Sequence, residues 1–263
     1  MQLPYPKISV VTPNYNQGDF IEKTIISVLH QSYPNVEYLI IDGGSTDNSI
    51  SIIKKYESQL QYWVSEKDQG MYHAINKGFS MATGDIMCWI NSDDVLWEDA
   101  LSHVAAIFLK YPKVCWLQGY PSVIDEQGEL LFQREPIATK EHFYNLRFNK
   151  DFSFIQQEST FWRKSLWEKA GGQLDTNYSL AADFELWLRF FKHESLYCTK
   201  KQLAAFRKRK GQKSGDGERY LKEANSAVKQ HLQEMNIFER MTSYLFKAIN
   251  PNKESEIKWI ENL

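Results

Sequence analysis

Cysteine is scarce in this 263-residue chain, and Cys88, Cys115 and Cys198 show no C-x-x-C spacing. That excludes a disulfide framework and a clustered thiolate site, and their apolar, strand-like surroundings suit reduced core thiols in the cytoplasm. Long hydrophobic runs are absent too: none approaches the roughly 20 residues that a spanning helix needs. The opening MQLPYPKISVVTP has neither the basic start nor the long apolar stretch of a secretory leader, so a soluble cytoplasmic chain is the expectation. Net charge is only −2, which provides no basic field for a nucleic-acid partner. Internal repeats, low-complexity tracts, a Walker A sequence and a G-x-G-x-x-G fingerprint are all missing, which removes support for P-loop hydrolysis and dinucleotide binding. What is present is a core: 43% hydrophobic and 14% aromatic residues suffice for one large globular domain, with room for an appendage.

From Ile8 to about Lys110, short apolar runs alternate with segments of helical period. ISVVT (8–12) reads as a strand, and DFIEKTIISVLHQ (19–31) places Ile21, Ile25, Val28 and Leu29 on one helical face, with Asp19 and Glu22 spaced as a capping box. VEYLIID (36–42), YWVS (62–65) and DIMCWIN (85–91) read as further strands. Between them lie a helix through Ile50, Ile53 and Tyr56 and another over 70–82, where small Ala74 and Gly78 allow close packing; Trp97, Leu101, Val104 and Phe108 mark the next. Such alternation predicts right-handed βαβ crossovers, hence an α/β fold with a mostly parallel sheet flanked by helices. Beyond Val114, VCWLQGYPSVID and ELLFQ around EQG read as a hairpin, 181–192 as a helix striped by Phe184, Trp187, Leu188 and Phe191, and LAAF (203–206) as a strand before the basic run RKRKGQKSGDGER.

Ligands of such sheets bind at the carboxyl ends of the strands. Thr12–Asn16, Asp42–Ser45, Ser65–Gly70 and Asn91–Asp94 all follow strands, so their polar groups should share one edge. Asp93 and Asp94 suit a hard divalent cation carrying a diphosphate, although an acidic turn capping the next helix is the ordinary reading of such a pair. Asp42 could bind a base or ribose or simply shape the turn before GGSTDNS, whose Ser45, Thr46 and Asp47 read as helix caps.

Three blocks, VVTPNYNQGDFIEKTIISVLHQSYPNVEYLIIDGGSTDNS, SEKDQGMYHAINKGFSMATGDIMCWINSDDVL and FWRKSLWEKAGGQLDTNYSLAADFELWLRF, together resemble the family 2 glycosyltransferases of GT-A fold, over roughly residues 6–215. The resemblance implies a Rossmann-like central sheet and inverting, non-processive transfer of a hexosyl group from a nucleoside diphosphate sugar, most commonly a UDP-sugar, to an acceptor hydroxyl in bacterial polysaccharide or glycoconjugate assembly. It implies a domain over 1–215, with a nucleotide-binding half (1–112) and an acceptor-side half (113–215), and a helical extension over 216–263. Carried over by position, Pro13 and Tyr15 line the nucleotide pocket, Asp42 binds the base, Asp68 lies on the nucleotide side, Asp93 serves ribose or metal, and Asp94 holds a Mn²⁺ or Mg²⁺ ion. Asp183 falls at the place of the catalytic base, and Trp187 and Arg189 one turn further on the acceptor or diphosphate side. An Asp at a helix start is also a common cap, and Asp175, Glu185 and Glu158 are rival carboxylates.

Two departures qualify the resemblance. Ile75 stands where many relatives carry Arg, and FRKRKGQKS offers Arg209 where relatives often have a metal-binding His, so Arg207, Arg209 or Lys210 could neutralise diphosphate directly. Along 235–250, Ile237, Met241, Tyr244, Leu245 and Ile249 recur at helical spacing, a face for packing, for homodimer formation, or for peripheral contact with the inner membrane surface where lipid-linked acceptors reside. Saccharide and protein-linked acceptors fit the same reading. Its rivals are a sugar nucleotidyltransferase on the same sheet edge and a non-catalytic nucleotide-sugar or carbohydrate-binding module.

Overall fold

The computed structural model describes residues 5–137, 139–151, 154–212, 215–235 and 256–262. Its strands are β1 (Ile8–Asn14), β2 (Val36–Asp42), β3 (Tyr62–Ser65), β4 (Ile86–Trp89), β5 (Val95–Leu96), β6 (Trp116–Gln118), β7 (Ser122–Ile124), β8 (Leu130–Gln133), β9 (Thr160–Arg163), β10 (Tyr197–Cys198), β11 (Ala204–Arg207) and β12 (Lys258–Trp259). Its α-helices are α1 (Ile21–Leu29), α2 (Ser49–Lys55), α3 (Met71–Met81), α4 (Ala100–Lys110), α5 (Lys140–Tyr144), α6 (Phe148–Asp151), α7 (Lys164–Lys169), α8 (Ala182–His193) and α9 (Gly217–Glu234).

The main sheet has eight strands in the order β12-β10-β6-β9-β4-β1-β2-β3, all pairs parallel except those of β9 with β4 and β6. β1 is buried along its whole length because helices cover both faces. Its side chains alternate between two cores: Val11 joins Tyr72, Ile75 and Phe79 of α3 and the aromatic face of α8, whereas Val10 joins Ile21 and Ile25 of α1 and Leu101 of α4. A methyl group at Gly78 would overlap Val11, so glycine lets α3 lie close against β1, as the small-residue pattern predicted. Pro13 is tolerated within β1 because the pairing with β4 ends at Val11.

The hairpin expected from 114 onward splits. β6 enters the main sheet, while β7 and β8 form the hairpin inside a second, four-stranded sheet ordered β5-β11-β7-β8. The break falls at Gly119, where a side chain would collide with Leu203 and Ser159. The capping box proposed for Asp19 and Glu22 does not form: α1 starts after Phe20 without a side-chain cap, and Glu22 accepts a hydrogen bond from Tyr56 Oη at 3.0 Å.

In the described part of 216–263, α9 and β12 pack on the rest of the chain. Ala224, Ala227 and Val228 of α9 are buried in the same core as α8, and β12 pairs with β10 at the sheet margin, where Glu261 accepts from Thr199 Oγ1 at 2.7 Å. The expected amphipathic face of Ile237, Met241, Tyr244, Leu245 and Ile249 lies outside the described residues. Among the described residues no helix is long and apolar enough to cross a membrane.

Candidate active site

The parallel register sets Asn14 beside Asp42 and Asp42 beside Ser65, so the ends of β1, β2 and β3 meet at one edge. Asp42 is fully buried and accepts from Asn14 Nδ2 (2.6 Å), Gly44 N (3.1 Å), Ser45 N (2.9 Å), Ser45 Oγ (2.5 Å) and Ser65 Oγ (2.5 Å). Its oxygens are spent on the chain's own donors, so the expected contact with a base is corrected: Asp42 organises the loops around it. Ser45 Oγ in turn accepts from Asn16 N at 2.8 Å, and Asp47 accepts from Ser49 N at 2.9 Å just before α2. Gly43 lies against Asp68, where a Cβ would come within 2.9 Å of the carboxylate, and Gly44 takes φ +80° over the Lys67 backbone. Asp68 is half-buried and accepts from Gly70 N at 2.8 Å; Pro13 is buried behind the edge and Tyr15 is 60% exposed upon it.

At the end of β4 the long-range pairing of β5 decides the geometry. β5 runs antiparallel to β11 with Val95 opposite Ala205, so continuing the ladder brings Arg207 to Asp93. Arg207 N donates to Asp94 Oδ1 at 2.7 Å, and its guanidinium donates to the backbone carbonyls of Asp93 (2.6 Å), Asp125 (2.9 Å) and Glu126 (3.1 Å). Two residues on, Arg209 returns to the same side: its Nε donates to Asp93 Oδ2 at 2.7 Å, and both guanidinium groups lie near the Phe20 ring. Asp94 is 1% exposed, and its second oxygen accepts from Asn91 Nδ2 at 3.2 Å. Burial first, then the Asp93 and Glu158 carboxylates, raises its pKa well above the ordinary carboxylate range.

Asp183 stands in the first turn of α8 but does not cap it. Glu223 of α9 instead holds the turn leading into it, accepting from the backbone N–H groups of Ser179 (2.9 Å), Leu180 (2.8 Å) and Ala181 (3.1 Å) just ahead of the helix. Tyr72, just after the β3–α3 loop, donates to Leu180 O at 2.7 Å and so brings this helix start to the sheet edge. Tyr220 Oη bridges both Asp183 oxygens at 3.3 Å. Burial outweighs these hydrogen bonds and raises Asp183 to about 6, while an edge of the residue stays open to solvent. Its rivals are differently placed. Glu158 is 4% exposed and pushed up to about 7 by burial, Glu185 is paired with Arg189 at 2.7 Å, and Asp175 accepts from Asn177 N at 2.9 Å.

The family model for glycosyl transferase family 2 matches residues 9–169, more than half the chain. The chain belongs to this family. An uncharacterized glycosyltransferase of Mycobacterium tuberculosis, MT1564, is 31% identical over 186 residues, covering 70% of this chain and 68% of the relative. The putative teichuronic acid biosynthesis glycosyltransferase TuaG of Bacillus subtilis is 38% identical over 126 residues, 47% of this chain and 50% of TuaG. Among solved structures, S. aureus TarS 1–349 in complex with UDP-GlcNAc matches with a TM-score of 0.70 at 18% identity over 88% of this chain and 68% of that one. Mannosyltransferase PcManGT from Pyrobaculum calidifontis, in complex with GDP-Man and Mn2+, matches with a TM-score of 0.59 at 16% identity over 95% of this chain and 82% of that one. These likenesses establish the GT-A fold.

Within this family 2 glycosyltransferase, three expected roles are corrected. Trp187 is 1% exposed and stacks on Trp89 (ring centroids 6.0 Å apart) and Trp116 (5.3 Å), so it is core and offers no face to an acceptor. Arg189 binds Glu185 and the carbonyls of Ala170 and Gln173, fixing the turn after α7. Asp94 and Asp93 do not fit a divalent ion as a pair: the first is 1% exposed and accepts a hydrogen bond at each oxygen, and the second is held in an ion pair with Arg209. Among the described residues no three His, Cys, Asp or Glu side chains are grouped to hold a metal. Sequence reasoning missed Tyr220 and Glu223 altogether, because nothing in the α9 pattern distinguishes them from ordinary surface positions of an amphipathic helix.

Proposed function

We propose that the chain transfers a sugar from a nucleoside diphosphate sugar to an acceptor hydroxyl with inversion, Asp183 being the base. One observation carries this reading: a partly open carboxylate, poised at about 6 by burial, in the first turn of α8, whose start is tied by the Tyr72–Leu180 hydrogen bond to the beginning of α3 after the β3 loop. The acceptor oxygen attacks the anomeric carbon and its proton passes to Asp183, while the bond from that carbon to the phosphate oxygen breaks and nucleoside diphosphate departs. A single displacement inverts the centre and needs one base and no enzyme nucleophile. Pro13, Tyr15 and Asp68 are assigned to the nucleotide side. UDP-sugars are the favoured donors, supported by the UDP-GlcNAc of the TarS complex, and a hexosyl group is added once per encounter. The name of TuaG supports polysaccharide assembly, with saccharide, lipid-linked or protein-linked acceptors met at the cytoplasmic face of the membrane.

Incubation with UDP- and GDP-sugars tests the reaction class. Slow release of nucleoside diphosphate is expected, with a thermal shift for the matching nucleotide; release of pyrophosphate would replace this reading by nucleotidyl transfer. Tyr220→Phe probes the base. The Tyr220 hydroxyl lowers the Asp183 pKa, so its removal should move the rise of turnover with pH to higher pH; an unmoved profile would detach Tyr220 from the reacting group.

A further inference from the structure

Resting on that reading, we propose that the Arg209 guanidinium, anchored on Asp93, stabilises the departing diphosphate in place of a divalent cation. A nucleoside diphosphate leaves with negative charge developing on its outer phosphate, and some positive group at the end of β4 must meet it. The four residues there divide that work clearly. Asp94 is buried with both oxygens engaged. Arg207 is 1% exposed, and its side chain is committed to three backbone carbonyls, which makes it part of the wall. Asp93 and Arg209 remain, each 14% exposed at its side chain, joined at 2.7 Å.

A cation competing for Asp93 would have to displace a guanidinium already held there at hydrogen-bond distance in partly desolvated surroundings, where such a pair is strong. Arg209 is placed rather than merely near. Its backbone N–H donates to Gln212 Oε1 at 3.0 Å, Gln212 donates back to Arg207 O, and the guanidinium packs 5.2 Å from the Phe20 ring centroid. The described contacts of the guanidinium, with Asp93 and with Lys210 O at 3.3 Å, use two of the five N–H groups an arginine carries. The planar fork suits two phosphate oxygens, and Asp93 sets its orientation in advance. The antiparallel pairing of β5 and β11 is what carries a residue from position 209 to this point.

Calorimetry with UDP and GDP, in EDTA and in Mn²⁺, is the first test, and nucleoside diphosphate release from the matching sugar is the second. Wild-type protein should bind its nucleotide in EDTA within about threefold of the Mn²⁺ value. Arg209→Ala should weaken that binding about tenfold or more and lower release by about 10²–10³-fold, with its thermal transition reported alongside to confirm folding. Arg209→Lys, which keeps charge but not the fork, should fall between. Lys208→Ala, an exposed member of the same basic run, should leave both readouts unchanged. Nucleotide binding or release that vanishes in EDTA and returns with Mn²⁺ would overturn the proposal, as would full activity and affinity in Arg209→Ala. Metal-free nucleotide binding that depends on Arg209, without any nucleoside diphosphate release from sugars, would instead remove the glycosyl-transfer reading and leave Arg209 as the diphosphate anchor.

Discussion

Asp183→Asn is expected to lower turnover by about 10²–10⁴-fold, the usual worth of a positioned general base, while making the protein more stable at neutral pH. The two effects share one cause. Burial raises Asp183 from an ordinary 3.8 to about 6. Below pH 3.8 the carboxyl is protonated in both folded and unfolded chains and costs nothing. As pH rises from 3.8 to about 6, the unfolded chain releases the proton while the native one keeps it, so stability falls across that window and levels off above it. The full shift corresponds to about 3 kcal/mol, and partial solvent exposure discounts it to about 1–2 kcal/mol. An amide pays no such penalty, so its melting temperature should exceed that of the wild type by a few degrees at pH 7 and match it near pH 4. Wild-type turnover should climb through about pH 6 and then flatten, because only the ionised carboxylate can accept the acceptor proton. Donor affinity should be unchanged in the variant. Retained turnover in Asp183→Asn, or a pH profile flat from 5 to 8, would remove Asp183 as the base.

How much of this was legible beforehand depends on the range of the interaction concerned. The strands ISVVT, VEYLIID and DIMCWIN are readable because helices on both faces make them near-continuous apolar runs, and the loops after them fall on one edge by the logic of parallel crossovers. Asp183 is found by resemblance, but its elevated pKa is not, because burial in the folded chain raises it against an opposing hydrogen bond from Tyr220, 37 residues away. Asp93 and Asp94 are adjacent in sequence and opposite in fate. Only the antiparallel pairing of two-residue β5 with β11 decides which one is buried and which meets Arg209, and no local period encodes a partner more than 100 residues distant. Trp187 fails for the opposite reason: a helix stripe shows which face is apolar, not whether an aromatic on it lines a pocket or fills a core between Trp89 and Trp116.

Asp42→Ala should cost about 3–5 kcal/mol, the largest stability loss expected from any single change at the sheet edge. The wild-type carboxylate survives full burial because Asn14, Gly44, Ser45 through both backbone and hydroxyl, and Ser65 all donate to it. Truncation removes the acceptor and leaves those donors facing a void within a buried setting, so each must be re-paired or the loops must open. The damage propagates, since Ser45 Oγ also accepts from Asn16 N and the Asn16 side chain accepts from Thr46 N at 2.8 Å. These contacts hold Asn16 at φ +51°, a left-handed conformation that positions the chain next to exposed Tyr15. Nucleotide affinity should therefore fall with stability although Asp42 itself is too buried to touch a ligand. Asp42→Asn separates the two components. It keeps the shape and one acceptor but turns an amide NH₂ toward N–H donors, with only a serine hydroxyl on that side able to accept, so its loss should be intermediate. Thermal or urea unfolding of both variants checks the ranking; an alanine variant melting within about 2 °C of wild type would show that the loop after β2 is held by something other than its buried carboxylate.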